Sequence, residues 1–200
     1  MKTRRIVIGV TGASGGPYAQ RLLDFLAAHA GELGLEVHVV FTRYGRLVWG
    51  DEVGTDPTEV YPFPIHKPHD MLAPSASGSS GFEAMVIVPC SAGTLARIAS
   101  GVSVDLIGRS ADVMLKERRR LVLVLRESPY SLVQLRNMVS VTEAGAIVLP
   151  ASPSFYGAPG GITELLDTVT ARILDQLGIP NELTRRWTGE LLGAAAREPS

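Results

Sequence analysis

Five short runs of β-branched and aliphatic residues recur along the chain: Arg5–Val10, Glu36–Phe41, Ala84–Pro89, Leu121–Leu125 and Ala146–Pro150. They are continuously apolar where a half-exposed strand would alternate. A strand of that kind must be covered on both faces, as in a parallel sheet sandwiched between helices. Helix-period stripes lie between most of the runs. Ala19, Leu22, Leu23, Leu26 and Ala30 form one after the first run; Leu165, Leu166, Val169 and Ile173 form another near the end. The alternation predicts an α/β fold, a three-layer doubly wound parallel sheet of the Rossmann or flavodoxin-like kind. With 200 residues, one domain is expected over 1–193, with a frayed tail at 194–200.

Charge and cysteine content narrow the function classes. Nineteen basic against 20 acidic residues give a net charge of −1, with no electrostatic footprint for nucleic acid or anionic membrane. The longest apolar runs are about five residues, against roughly 20 for a membrane helix. Met-Lys-Thr-Arg-Arg leads straight into a strand, so no signal peptide is expected and a cytoplasmic location is the default. Cys90 is the single cysteine, and the four histidines include no HExxH; a metal-free protein is expected.

Local signals set several boundaries. Ser91 stands where it can cap a helix over Ala92–Ala99, and Ser100-Gly101 reads as its stop. Ser128-Pro129 predicts a helix start with proline in the first turn. Asp51–Phe82, with five prolines, and Ala151–Gly161 are expected to be long irregular connections.

Four groups of residues can carry chemistry. Gly9-Val-Thr-Gly-Ala-Ser-Gly-Gly16 falls between the first strand and first helix, where free amides attract phosphate and glycines permit close approach. No acidic residue ends the second strand; Thr42 stands there, which favours a mononucleotide over a dinucleotide. A tight turn without ligand is the plainer alternative. Pro89-Cys-Ser-Ala-Gly-Thr94 is a second such turn on the same sheet edge. Ser91 alone reads as a cap, and Cys90 as a small buried residue more readily than a nucleophile. Among the cations, Arg109 and Lys116 share a face of an Asp105–Glu117 helix, where i,i+4 pairing with Asp105 and Asp112 is the simple account. Arg126 and Glu127 follow the fourth strand at the ligand edge, and Arg172, set in an apolar stripe, should meet an anion. Tyr156 and Trp187 can wall a pocket or simply pack on the surface.

Longer blocks carry a resemblance. GVTGASGG, ASGS at Ala76–Ser79, PCSAGTLARIASGVSVDLIGRSADVMLKERR, LVLVLRESP, VTEAGAIVLPASPSFY and DTVTARILDQLGI resemble the UbiX family of flavin prenyltransferases, over about residues 4 to 188. The resemblance implies a transfer of a dimethylallyl group from dimethylallyl monophosphate to N5 and C6 of reduced FMN. The product would serve a UbiD-type decarboxylase. It implies flavin contacts from Gly12, Ala13, Ser14, Thr42, Ser91, Ala92, Gly93, Thr94 and Arg126. It assigns the prenyl phosphate to Arg109, Lys116, Arg126, Tyr156 and Arg172, with Ser14 and Lys116 among the catalytic groups. Glu52 and Glu127 match the family's proton-transfer carboxylates and Trp187 an aromatic near the prenyl group. It further implies a homo-oligomer, a dodecamer, with each site completed at a subunit boundary. Ala92 replaces the methionine common in that turn. No two aspartates are adjacent, so no magnesium-binding DDxxD exists and cations are expected to hold the leaving phosphate. The alternatives are a flavin-dependent decarboxylase of a cysteinyl substrate and a non-enzymatic flavin carrier. The first expects an asparagine in the turn that here reads PCSAGT.

Overall fold

The structure, a computed structural model, describes residues 3–187; the expected tail at 194–200 lies outside them. The elements run β1 (Arg4–Val10), α1 (Gly16–His29), β2 (Leu35–Phe41), α2 (Arg43–Glu52), α3 (Pro57–Val60), β3 (Ile65–His66) and β4 (Phe82–Cys90). Then follow α4 (Ala92–Ala99), α5 (Leu106–Lys116), β5 (Arg120–Leu125), α6 (Leu132–Glu143), β6 (Ile147–Pro150) and α7 (Ile162–Leu177). All strand pairings are parallel, in the order β3-β2-β1-β4-β5-β6, which reverses direction of winding between β1 and β4. That is where a doubly wound sheet opens a crevice at its carboxyl edge.

The unbroken apolar runs are explained by two cores. Ile6, Ile8 and Val10 of β1, with Val86 and Val88 of β4, pack on one face against Leu22, Leu26 and Ile173 from α1 and α7. Val7, Met85, Ile87 and Leu123 pack on the other against Leu95, Leu106 and Val113 from α4 and α5. Each fully buried aliphatic contributes about 1.5–3 kcal/mol, so neither face of these strands tolerates water.

Three local expectations need correction. Residues 51–82 are not wholly irregular, because they hold α3, the two-residue sixth strand β3 and two single 3-10 turns. Helix α2, whose last two residues fall within that span, has no helical signal in the sequence. Its Gly45 is required by contact, since a Cβ there would lie 2.4 Å from the Val10 carbonyl. Helix α6 starts at Leu132 rather than behind Ser128: the Ser131 hydroxyl accepts from Gln134 N while the Gln134 side chain accepts from Ser131 N. This reciprocal cap satisfies two end amides, which proline in the first turn cannot do. Finally, the i,i+4 pairs on α5 do not form. Asp105 caps the helix through Gly108 N at 2.8 Å, Arg109 pairs with Asp112 at 2.7 Å, and Lys116 pairs with Glu117.

Candidate functional site

The two glycine-containing turns are fastened together at the crevice. The buried Thr11 hydroxyl donates to the Pro89 carbonyl at 2.7 Å and accepts from Ser91 N at 2.9 Å. Gly12 has no room for a side chain, because a Cβ would lie 2.5 Å from Tyr44 Cβ. Gly15 adopts φ 123°, a left-handed backbone that favours glycine.

The start of α1 is not a free anion site, contrary to the expectation from its glycines. Glu52, delivered by the last turn of α2, accepts from Gly15 N at 2.8 Å and Gly16 N at 2.6 Å through Oε2. Burial alone would raise the Glu52 pKa, but the Ser14 side chain, these two amides and the charge of Arg126 together hold it below the ordinary carboxylate value. The helix end thus keeps an anion of its own, and Glu52 and Ser14 come together although 38 residues apart in sequence.

At Gly12 and the amino end of α2 opens a cleft of about 340 Å³, the size of a small-ligand pocket; Ser14 and Glu52 are not among its lining residues. Gly12, Thr42, Ser91 and Thr94 line it. Thr42 caps α2, accepting from Gly45 N at 2.9 Å. Ser91 caps α4 as expected, accepting from Thr94 N and donating to Thr94 Oγ1 at 3.0 Å. Ala92 and Gly93 form the first turn of that helix. Ala13 is half-buried in the turn before α1. The fully buried Cys90 thiol is pushed up to about 12 by burial, which leaves it unreactive.

Tyr156, Arg172 and Trp187 meet in a second cavity, of about 750 Å³, with the two aromatic rings 5.5 Å apart. Arg172 does not sit in an apolar stripe. Its side chain is 63% exposed and pairs with Asp175 at 2.8 Å, because one position further round α7 the helix leaves the core. Asp175 also receives both Nη atoms of Arg186. Arg126 is exposed at the end of β5, close enough to bias both Glu52 and Tyr18. Glu127 accepts from the Ser128 amide at 3.0 Å, a local turn after β5.

Lys116 is not with them within one chain. It ends α5, whose capping Asp105 borders the cleft, and eleven residues of helix span roughly 16 Å. Lys116 therefore stands toward the amino edge of the sheet, where Arg120 pairs with Ala84. Arg109 lies in the first turns of α5, bound to the Ala76 carbonyl and Asp112.

Residues 1–174 match the model of the Flavoprotein family. The flavin prenyltransferase UbiX of Deinococcus radiodurans is 47% identical, over 92% of this chain and 93% of that protein. The chain belongs to the UbiX family of flavin prenyltransferases. Among solved structures, AnUbiX (PadA1) in complex with FMN and dimethylallyl pyrophosphate is 42% identical with a TM-score of 0.88, covering 94% of this chain and all of that one. A dodecameric FMN-dependent UbiX-like decarboxylase from Escherichia coli O157:H7 is 37% identical with a TM-score of 0.87, covering 92% and 100%. Peptidyl-cysteine decarboxylase EpiD, at 16% identity and a TM-score of 0.56 over 77% of this chain and 89% of that one, shares the fold alone.

Two side chains at this UbiX-type site escaped the sequence reading. Tyr18, in the first turn of α1, has its hydroxyl 3.5 Å from the Ala151 carbonyl; burial raises its pKa and Arg126 opposes. Its place three residues after Gly15 was a usable signal. Arg97 lines the cleft from α4, and in sequence it looks like an ordinary cation near a helix end.

Proposed function

We propose that this chain joins a dimethylallyl group, from its phosphate ester, to reduced FMN. The observation that carries the reading is the anionic Glu52 fixed beside Ser14 on the same turn whose Gly12 lines the hydroxyl-bearing cleft. The family relationship supports it. FMN fits the residues present: Gly12 leaves backbone open at the cleft, Thr42, Ser91 and Thr94 offer hydroxyls, and Ala92 and Gly93 offer helix-end amides. When bound, reduced FMN supplies the N5 and C6 positions that are alkylated.

The chain's own groups then have distinct tasks. Ser14, Gly12 and Ala13 would hold the flavin edge against the turn, with Arg126 beside it. Glu52, with Oε2 held by two amides, is the carboxylate that would accept a proton released as the ring closes. Glu127 is a second acceptor at the end of β5. Arg172 and Tyr156 hold the ester phosphate, with Trp187 presenting an aromatic face to allylic positive charge. Arg109 and Lys116 join them from a neighbouring subunit.

The product would pass to a UbiD-type decarboxylase, and the enzyme would work in the cytoplasm. Among the described residues no helix is long and apolar enough to cross a membrane. The arginines and lysine offer the charge a metal would otherwise bring, so we expect no metal requirement. Incubation with reduced FMN and dimethylallyl monophosphate, followed by mass spectrometry of the flavin, should show one added prenyl unit, and EDTA should leave the yield unchanged. An unaltered flavin would refute the activity. Loss in EDTA with recovery in magnesium would refute metal independence.

The same reading calls for a closed assembly of twelve chains. Helix α6 exposes Leu132, Val133, Leu135 and Val139, an aliphatic face unusual on a free monomer. Light scattering should give a mass of twelve chains for the native protein and a smaller one for Val133→Asp, with prenyl transfer reduced in parallel. An active monomer would exclude the shared site.

A further inference from the structure

We propose that Arg97 is the residue that makes the cleft select a flavin carrying a phosphate over riboflavin, an inference that rests on the flavin reading above. Three observations lead there. The first amides of α1, the obvious phosphate anchor of such a fold, are already taken by Glu52 at 2.6 and 2.8 Å, so an incoming anion must find its counter-charge elsewhere. In the lining of the cleft, Arg97 folds back along α4 toward its first turn. Its Nη2 donates to Thr94 Oγ1 at 3.0 Å, and its Nη1 would lie 3.8 Å from a Cβ built on Gly93. A guanidinium drawn over the positive end of a helix is in an unfavourable field unless an anion joins it.

The charge inventory of the cleft supports this. Its lining holds Arg43, Arg97 and a single carboxylate, Asp105, which is engaged as the cap of α5 through Gly108 N. Among the described residues Arg97 forms no ion pair; its side-chain partner is the Thr94 hydroxyl. That hydroxyl also accepts from Ser91 Oγ, whose own amide is tied to Thr11. The guanidinium is therefore positioned by a continuous set of hydrogen bonds from both turns. It leaves further N–H donors for phosphate oxygens, in the forked geometry arginine provides.

The test is the ratio of affinities of the full chain, freed of flavin by dialysis, for FMN and riboflavin, read by quenching of flavin fluorescence. The native protein should prefer FMN, and Arg97→Gln, which keeps a polar N–H donor but removes the charge, should weaken FMN by about 10- to 100-fold. Riboflavin should change by less than about threefold, and the FMN affinity of the variant should lose part of its salt dependence. Arg97→Lys should fall between the two, and it carries the same reading if Arg97→Gln does not fold. Equal weakening of both flavins, or an unchanged FMN affinity in either variant, would overturn the role of Arg97 while leaving the flavin site intact. Binding of neither flavin by the native protein would remove the flavin reading and this proposal with it.

Discussion

Glu52→Gln is expected to lower prenyl transfer by about 10²- to 10⁴-fold, the range for loss of a positioned proton-transfer group, with FMN still bound. The amide oxygen of glutamine can accept from Gly15 and Gly16 as Oε2 does now, so the turn is preserved while the charge and basicity disappear. The pH dependence has a definite sign. The carboxyl is held below its ordinary value in the folded protein, so the carboxylate is fully formed at neutral pH. Its contribution to stability is present above the unfolded-state value and is lost as pH falls through the lower folded-state value. The native protein's advantage over Glu52→Gln in urea midpoint should therefore be largest near neutrality and vanish on acidification. Single-turnover rates with flavin occupancy checked by absorbance decide the catalytic part. A near-native rate in the variant would leave Glu52 only the task of closing α1.

Arg172→Ala and Lys116→Ala should each slow the reaction by about 10²- to 10³-fold without releasing FMN. A departing phosphate dianion in a pocket needs desolvated donors, and loss of one costs about 2.7–4 kcal/mol in the transition state. For Arg172 the cation must exchange Asp175 for the phosphate, and Arg172→Lys should recover only part, since a point charge lacks the planar fork. For Lys116 the fold makes the prediction sharper. Helix α5 packs on the face of the sheet opposite α7, which carries Arg172, so the effect of Lys116 requires a neighbouring chain. Mixed assemblies of the two inactive variants should regain activity, because some sites would receive Lys116 from one chain and Arg172 from another. If Lys116 only pairs with Glu117 on the surface, its removal would leave both stability and rate essentially unchanged. A native rate in both variants would move the phosphate elsewhere.

Sequence alone determined much about this protein because the signals concerned are local. Continuous apolar runs state that both faces of a strand are covered, whichever helices cover them, and Ser91 before an apolar-periodic segment is a helix cap wherever that helix packs. The two turns at Gly12 and Ser91 could be set on one edge by winding rules, and long blocks such as PCSAGTLARIAS tied the chain to its family. Helix α2 was illegible for the complementary reason. Its glycines weaken any helical signal, and Gly45 is demanded by the Val10 carbonyl from another element. Only the tertiary structure decided that Glu52 closes the first turn, that Arg172 faces Asp175 instead of the core, and that Lys116 stands apart from Tyr156 and Trp187. Those facts depend on where separate elements come to lie. Hydrogen bonds and ion pairs act over about 3 Å, and no spacing along the chain specifies such a distance between residues brought together by packing.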